Sequence, residues 1–421
     1  MIAKSRLGGG VVSLEYILAI IMILNNASVW DTEYEAVKSG VSFGQIILII
    51  WYLALGCLIL LSKNIGKLYK KKYVIFSLLA WSYFMIYFIM RHVKPLLSIE
   101  LFMTIFLLSS YVYLDGKDVI ARLLIKYKNL IVFISVMSLF FYVFGTWLNW
   151  IEPTGQIYSN WAATENDVAI FKGYMNLHFE TQIDDNFIGN GGVVRNSSIF
   201  TEAPMFSLHL SLALLVELFI VKRTKSPVVI LLIVTIATTT SSTGYALVAL
   251  ALFFKFIIWS KDINKMRYLR AVSLLVLLVF IAGVIIQLFD NKEDTISALT
   301  RVDDYIVGIQ TWLTSPLFGV GLGNYDAFIQ NMDGWRMVRT GYSNSICMLL
   351  GQGGIWLFSL YMCAIYIGTI QAYRKKLYNT SCVAFLILYL YCFAIATYKV
   401  NILCFLIYIV VNVTYNEDNA Y

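Results

Sequence analysis

The sequence predicts an all-α polytopic membrane protein, with about twelve transmembrane helices and two large loops on one face. Three observations predict it: an apolar composition, a ladder of apolar runs, and a regular alternation of Lys and Arg between the connections. Of 421 residues, 59% are hydrophobic and only 14% charged, against roughly 25% charged in a soluble domain. Mean hydropathy is +0.74. Aromatic residues reach 15%, with 28 Tyr, 27 Phe and 10 Trp, as suits helices with interfacial belts.

A spanning helix needs about 20 mainly apolar residues. Candidate spans are 11–30, 42–62, 73–90, 96–114, 129–150, 200–221, 227–241, 243–260, 269–289, 343–372, 380–397 and 400–414. The seventh is short and meets the eighth at the run Thr238 to Thr243, a tight turn or a broken helix. The first begins after Met1 to Arg6 and superficially resembles a signal peptide. Without a cleavage site, and with Asn25 and Asn26 inside, it reads as a retained helix.

Orientation follows from the basic residues. Connections assigned to the cytoplasm hold Lys4 and Arg6, the run Lys63 to Lys72, and Lys117, Arg122, Lys126 and Lys128. They also hold Lys222 to Lys225, Lys255 to Arg270, and Arg374 to Lys376. Together these carry 22 of the 32 Lys and Arg. Both termini are then expected in the cytoplasm. The net charge of +7 is explained by this topology, and no nucleic-acid partner is expected. Cys57, Cys347, Cys363, Cys382, Cys392 and Cys404 all fall in apolar stretches and read as small buried residues.

The two external segments, about 151–199 and about 290–342, mix Trp, Tyr, Gly and acidic residues. Long loops of this kind are where function concentrates. The whole chain, 1–421, reads as one integral membrane domain. Three constellations sit at the ends of these segments. The first is Arg195 to Pro204, in which Arg195 and Glu202 are seven apart and, if on one helix, would share a face two turns apart. They fit either a structural ion pair at headgroup level or a phosphate-binding Arg beside a proton-handling Glu. The second is Arg301, followed by Gly319, Gly321, Gly323 and Asn324. With no strand–turn–helix context on this face, these glycines are not a dinucleotide fingerprint; they read as a tight turn whose N–H groups approach an anion. The third runs from Trp335 through Arg336 and Arg339 to Ser343 and Asn344, adding positive charge at the rim or snorkelling at the interface. Of the three His, His92 reads as a surface residue. His178 reads as a substrate contact, and His209, seven residues after Glu202, as a second cavity-lining group or an interhelical hydrogen-bonder. No His, Cys or carboxylate spacing suggests a metal, and no cofactor is expected.

These motifs, in order, resemble those of bacterial O-antigen and capsule polymerases (Wzy-type) and O-antigen ligases. Arg195-x-x-Ser-x-Phe200-x-Glu202-x-Pro204 is similar to their R-x-x-G-x-F-x-E-P pattern, and Thr240 to Gly244 to their S-x-S-x-G segment. Arg301 followed by Ser315 to Asn324 resembles their Arg…sPlfGvGlGn segment, and Ser343-Asn344 with Gly353-Gly354-Ile355 their HN…GliG helix start. The family's Gly is Ser198 here and its His is Ser343, which moves the reading from ligase toward polymerase.

The resemblance implies a GT-C-like, metal-independent glycosyltransferase that joins undecaprenyl-diphosphate-linked oligosaccharide repeats outside the bacterial cell membrane. It is implied to serve lipopolysaccharide or capsule assembly, with a chain-length regulator and a flippase as further partners. Arg195 and Arg301 are expected to hold the donor diphosphate, and Glu202 to activate the acceptor. Arg336, Arg339, Gly321, Gly323, Asn324, Asn344, His209 and His178 are expected to contact substrate. The alternatives are an O-antigen ligase acting on lipid A core and a transporter of the same lipid-linked sugars. Against transport stand charges at the outer ends and no internal repeat, where transporters place ionisable groups near the midplane.

Overall fold

The computed structural model describes residues 9–32, 43–91, 93–164, 167–184, 193–258, 296–336, 341–394 and 398–415. In chain order the helices are α1 Gly9–Leu24, α2 Phe43–Leu61, α3 Lys71–Met90, α4 Pro95–Asp115, α5 Asp118–Phe141, α6 Ala203–Leu215 and α7 Ser226–Thr238. Then follow α8 Ser242–Leu252, α9 Ile296–Thr314, α10 Asp326–Ile329, α11 Ser345–Tyr366, α12 Tyr378–Phe393 and α13 Val400–Thr414. In lipid every backbone group must be paired within its own segment, so long apolar runs become helices. Six are long and apolar enough to cross a membrane: α2, α3, α4, α5 continued to Trp147, α6 continued to Ile220, and α11 continued to Arg374. Helices α1, α7, α8, α12 and α13 are apolar but shorter. Eleven of the expected spans thus coincide with apolar helices, and the expected span 269–289 lies outside the described residues.

The chain folds as two compact units. The first comprises Met1–Lys70, Leu107–Val248 and Lys399–Tyr408, the second Lys71–Phe106, Ala249–Tyr398 and Ile409–Tyr421.

In the first unit the helix expected from 129 begins at Asp118. Arg122, Lys126 and Lys128, expected in a loop, are therefore helical, and buried carboxylates hold them there. Glu15 of α1 takes Arg122 at 3.1 Å and also Lys126, while Glu217 takes Lys128 at 2.8 Å. Removing one partner of such a pair costs about 3–5 kcal/mol, because the other charge stays buried.

The segment 151–199, expected as loop, carries strands β1 Gly155–Thr164, β2 Asp167–Tyr174, β3 His178–Phe179, β4 Ile183–Asp184 and β5 Val193–Val194. β1, β2 and β3 form an antiparallel sheet in that order, with Ile157 opposite Phe171 and Gly173 opposite Phe179. The alternation is that of a half-buried sheet: Ile157 and Phe171 are buried, Tyr158 and Ile170 exposed. Val29 and Phe179 complete this small core, packed by Trp30. Gly173 leaves room for the Phe179 ring, which a Cβ would meet at 2.7 Å.

In the second unit the dominant feature is a break in α11. Gly354 adopts φ 57° and ψ −167°, interrupting the helix. A break frees two carbonyls and two N–H groups that a continuous helix would pair. The segment Ser315–Gly323 fills the gap. Val320 and Gly321 donate to the carbonyls of Gly351 and Gln352 at 2.9 and 3.0 Å. Ile355 and Trp356 donate to the carbonyls of Pro316 and Leu317 at 2.9 and 3.0 Å. Gly319, Gly321 and Gly323 all have positive φ, which explains glycine at each.

Candidate functional site

In the first unit the constellation from Arg195 to Glu202 folds against the junction of α7 and α8. Thr240, at φ 50°, makes that junction a tight turn. Arg195 Nε donates to the Thr239 carbonyl at 3.0 Å. The Asn196 amide N–H donates to the Thr238 carbonyl at 3.1 Å, and Asn196 Nδ2 to Thr238 Oγ1 at 2.9 Å. Ser138 of α5 donates to Asn196 Oδ1 at 2.6 Å. Two motifs some forty residues apart in sequence are thereby locked together through Asn196 and Thr239.

Glu202 caps the start of α6 in extended conformation, one residue before the helix and two before Pro204 in its first turn. Burial raises its carboxyl pKa above the usual range, and the Arg195 charge opposes that shift. A partly desolvated carboxylate beside a guanidinium suits a proton acceptor at neutral pH.

The two histidines of this unit are interior. His178 is wholly buried, with its Nε2 3.4 Å from Thr146 Oγ1, and burial lowers its pKa to about 3. It offers a sugar no surface. His209 is also wholly buried: its ring stacks on Phe200 at 4.4 Å between centroids, and Nδ1 lies 2.7 Å from the Tyr127 hydroxyl. It braces Phe200, two residues before Glu202.

In the second unit Arg301 of α9 lines a cleft of about 90 Å³ with Val302, Tyr305, Ser343, Asn344, Cys392 and Phe393. Among the described residues no hydrogen bond or ion pair engages its guanidinium. Asn344 caps α11, its Oδ1 accepting from the Cys347 N–H at 3.0 Å, while among the described residues no hydrogen-bond partner lies in place for its buried Nδ2. Among the described residues the cleft therefore brings together a cation without an ion-pair partner and an amide donor, the groups that recognise phosphate oxygens.

Arg336 has a different fate from the rim cation expected of it. Its Nη1 lies 2.8 Å from Asp303 Oδ2 and 2.7 Å from Asp304 Oδ1, all three side chains buried. Two carboxylates around one guanidinium leave the cluster without positive charge. Asp304 also accepts from Ser343, from the amide at 2.7 Å and the hydroxyl at 2.6 Å. Ser343, standing where the family pattern has His, is thus tied to the Arg336 cluster on one side and borders the Arg301 cleft on the other. Arg339 lies outside the described residues, as does His92.

The glycine turn, expected to cradle an anion, spends its donors internally. Besides the bonds into α11, the Gly323 N–H donates to Gln352 Oε1 at 3.1 Å, and Tyr398 donates to the same oxygen at 2.8 Å. Asn324 Nδ2 donates to the Val320 carbonyl at 3.1 Å, closing its own turn. The donors of Gly321, Gly323 and Asn324 thus serve the architecture. Asp303, Asp304 and Gln352 escaped the sequence reading. The adjacent acidic pair in α9 is the one signal that points to a buried partner. Among the described residues, no group of three or more His, Cys, Asp or Glu is placed to hold a metal ion.

Two of the four motifs assemble in each unit. Residues 227–362 match the family model Wzy_C, O-antigen ligase. This stretch is therefore similar to the O-antigen ligase/polymerase superfamily. It runs from α7 into α11, so it takes in the Thr240–Gly244 junction, Arg301, the glycine segment and Asn344, while Arg195 and Glu202 precede it. Among curated proteins none matches the chain. The apolar helices, six of them long enough to cross a membrane, and the match together indicate a multi-pass membrane protein.

Proposed function

We propose that the protein is a polysaccharide polymerase joining undecaprenyl-diphosphate-linked repeat units on the outer face of the bacterial membrane, with its termini in the cytoplasm. The observation that carries this is the Arg301 cleft, where, among the described residues, a guanidinium without a hydrogen-bond or ion-pair partner lines the same space as Asn344. In the reaction the bond between the donor sugar and its lipid diphosphate breaks. A glycosidic bond forms to an acceptor hydroxyl, whose proton goes to a base, and polyprenyl diphosphate leaves. Arg301 takes the developing phosphate charge through paired N–H donors, with Arg195 as a second phosphate contact. Glu202 accepts the proton, its raised pKa supporting that role.

The description of the matched family favours a second reading, transfer of finished polymer to lipid A core. Ser343, in place of the family's His, weighs for polymerisation. Purified protein given lipid-linked repeat units separates them. A ladder of polymer means polymerase, transfer only to added lipid A core means ligase, and neither product leaves transport.

A further inference from the structure

The amides that open α6 are satisfied without the carboxylate of Glu202. A helix leaves its first N–H groups without partners in the helix, and the residue just before it often covers them with its own side chain. Glu202 holds that place but makes no side-chain cap. Its carbonyl accepts from the N–H of Met205 at 3.1 Å and of Phe206 at 3.2 Å, and Pro204 has no N–H to place. That leaves Ala203, whose N–H donates to Gln182 Oε1 at 3.1 Å.

Gln182 reaches this amide because of strand register. β4 and β5 pair antiparallel, with Ile183 opposite Val194 and Asp184 opposite Val193, so Gln182 comes opposite Arg195. The Arg195 N–H donates to the Gln182 carbonyl at 2.9 Å. One residue thus ties the chain at Arg195 with its backbone and the chain beside Glu202 with its side chain. We propose that Gln182 is a positioning residue: it takes over the cap of α6 and so leaves the Glu202 carboxylate free beside Arg195. The role rests on the proposed function only for the proton that Glu202 accepts there.

Arg195 is the charge that acts on Glu202. Tyr142 at the end of α5 and Tyr245 of α8 lie around that guanidinium. Glu180, two residues before Gln182, is taken up by the Tyr174 hydroxyl at 2.8 Å, and His209 faces Phe200 and Tyr127. Without Gln182 Oε1, the uncapped helix end presents the Ala203 N–H to the nearest anion, which is Glu202. A donor and a positive helix end both favour the ionised carboxylate, so its pKa falls.

The test uses the full chain in detergent and dicyclohexylcarbodiimide, which attacks protonated carboxyl groups. Labelling of Glu202 is followed against pH by mass spectrometry, with melting temperatures measured alongside. Gln182→Met keeps the bulk and removes the acceptor; its labelling midpoint is expected about one pH unit below wild type. Gln182→Glu keeps the acceptor oxygen and adds a like charge, so its midpoint is expected at or above wild type. An unchanged midpoint in Gln182→Met, or a fall as large in Gln182→Glu, overturns the proposal, whatever the melting temperatures do. Labelling needs no turnover: shifted midpoints in a protein that makes no polymer sustain the role of Gln182 and sink only the proposed activity.

Discussion

Gly354 approaches Gly319 so closely that a Cβ on Gly354 would lie 2.5 Å from the Gly319 amide nitrogen. The same Cβ would meet the Leu317 carbonyl carbon and oxygen at 2.5 Å. All three atoms are backbone, so no side chain can rotate away. The left-handed φ of Gly354 adds a cost of about 1 kcal/mol or more for any L side chain. Gly354→Ala is therefore expected to lose the folded protein or to lower its melting temperature by many degrees in detergent. Gly334→Ala, with no atom within 4 Å of its Cβ, is the neutral control.

Ser198 occupies φ 53°, in the left-handed region. Its amide donates to Asn196 Oδ1 at 3.2 Å, a bond that glycine keeps. Ser198→Gly is expected to stabilise by about 1 kcal/mol, and Ser198→Val to destabilise by more. Thermal unfolding of the two variants beside wild type checks the order.

Arg336→Met leaves Asp303 and Asp304 buried without their cation. The expected cost is about 3–5 kcal/mol, read as a lower melting temperature. Loss of activity with wild-type stability would instead favour a direct contact of Arg336 with substrate.

How much of this was legible in the sequence depended on the range of the interaction. The spans were legible because each is one apolar run, as in α2 and α6. The short strands β3, β4 and β5 were not, because they have two residues each and owe their existence to partners elsewhere, such as Ser198, whose carbonyl accepts from the Phe179 N–H at 2.8 Å. Arg301 and Asn344 stood out by their motifs. That Arg336 is spent on Asp303 and Asp304 was hidden, because more than thirty residues separate them. The glycines were visible as a turn. Their insertion into the broken α11 needed Gly354, whose effect appears only when both segments are packed.

Glu202 gives the pH dependence a sign. Its pKa is raised by burial, and protonation removes its capacity to accept a proton. Turnover should therefore fall as pH drops, with a midpoint above the ordinary carboxylate range near 4.5. Glu202→Gln is expected to lower the rate by about 10²–10⁴-fold and to erase that limb. A wild-type rate and profile in this variant would exclude Glu202 as the base.

The central claim is that Arg301 is a substrate cation and not a structural one. Arg301→Ala, assayed on purified lipid-linked repeat units with its melting temperature measured alongside, tests it most directly. The expected result is loss of polymer with single repeat units left on the lipid and an unchanged melting temperature. Long polymer at the wild-type rate in the Arg301→Ala protein would contradict it.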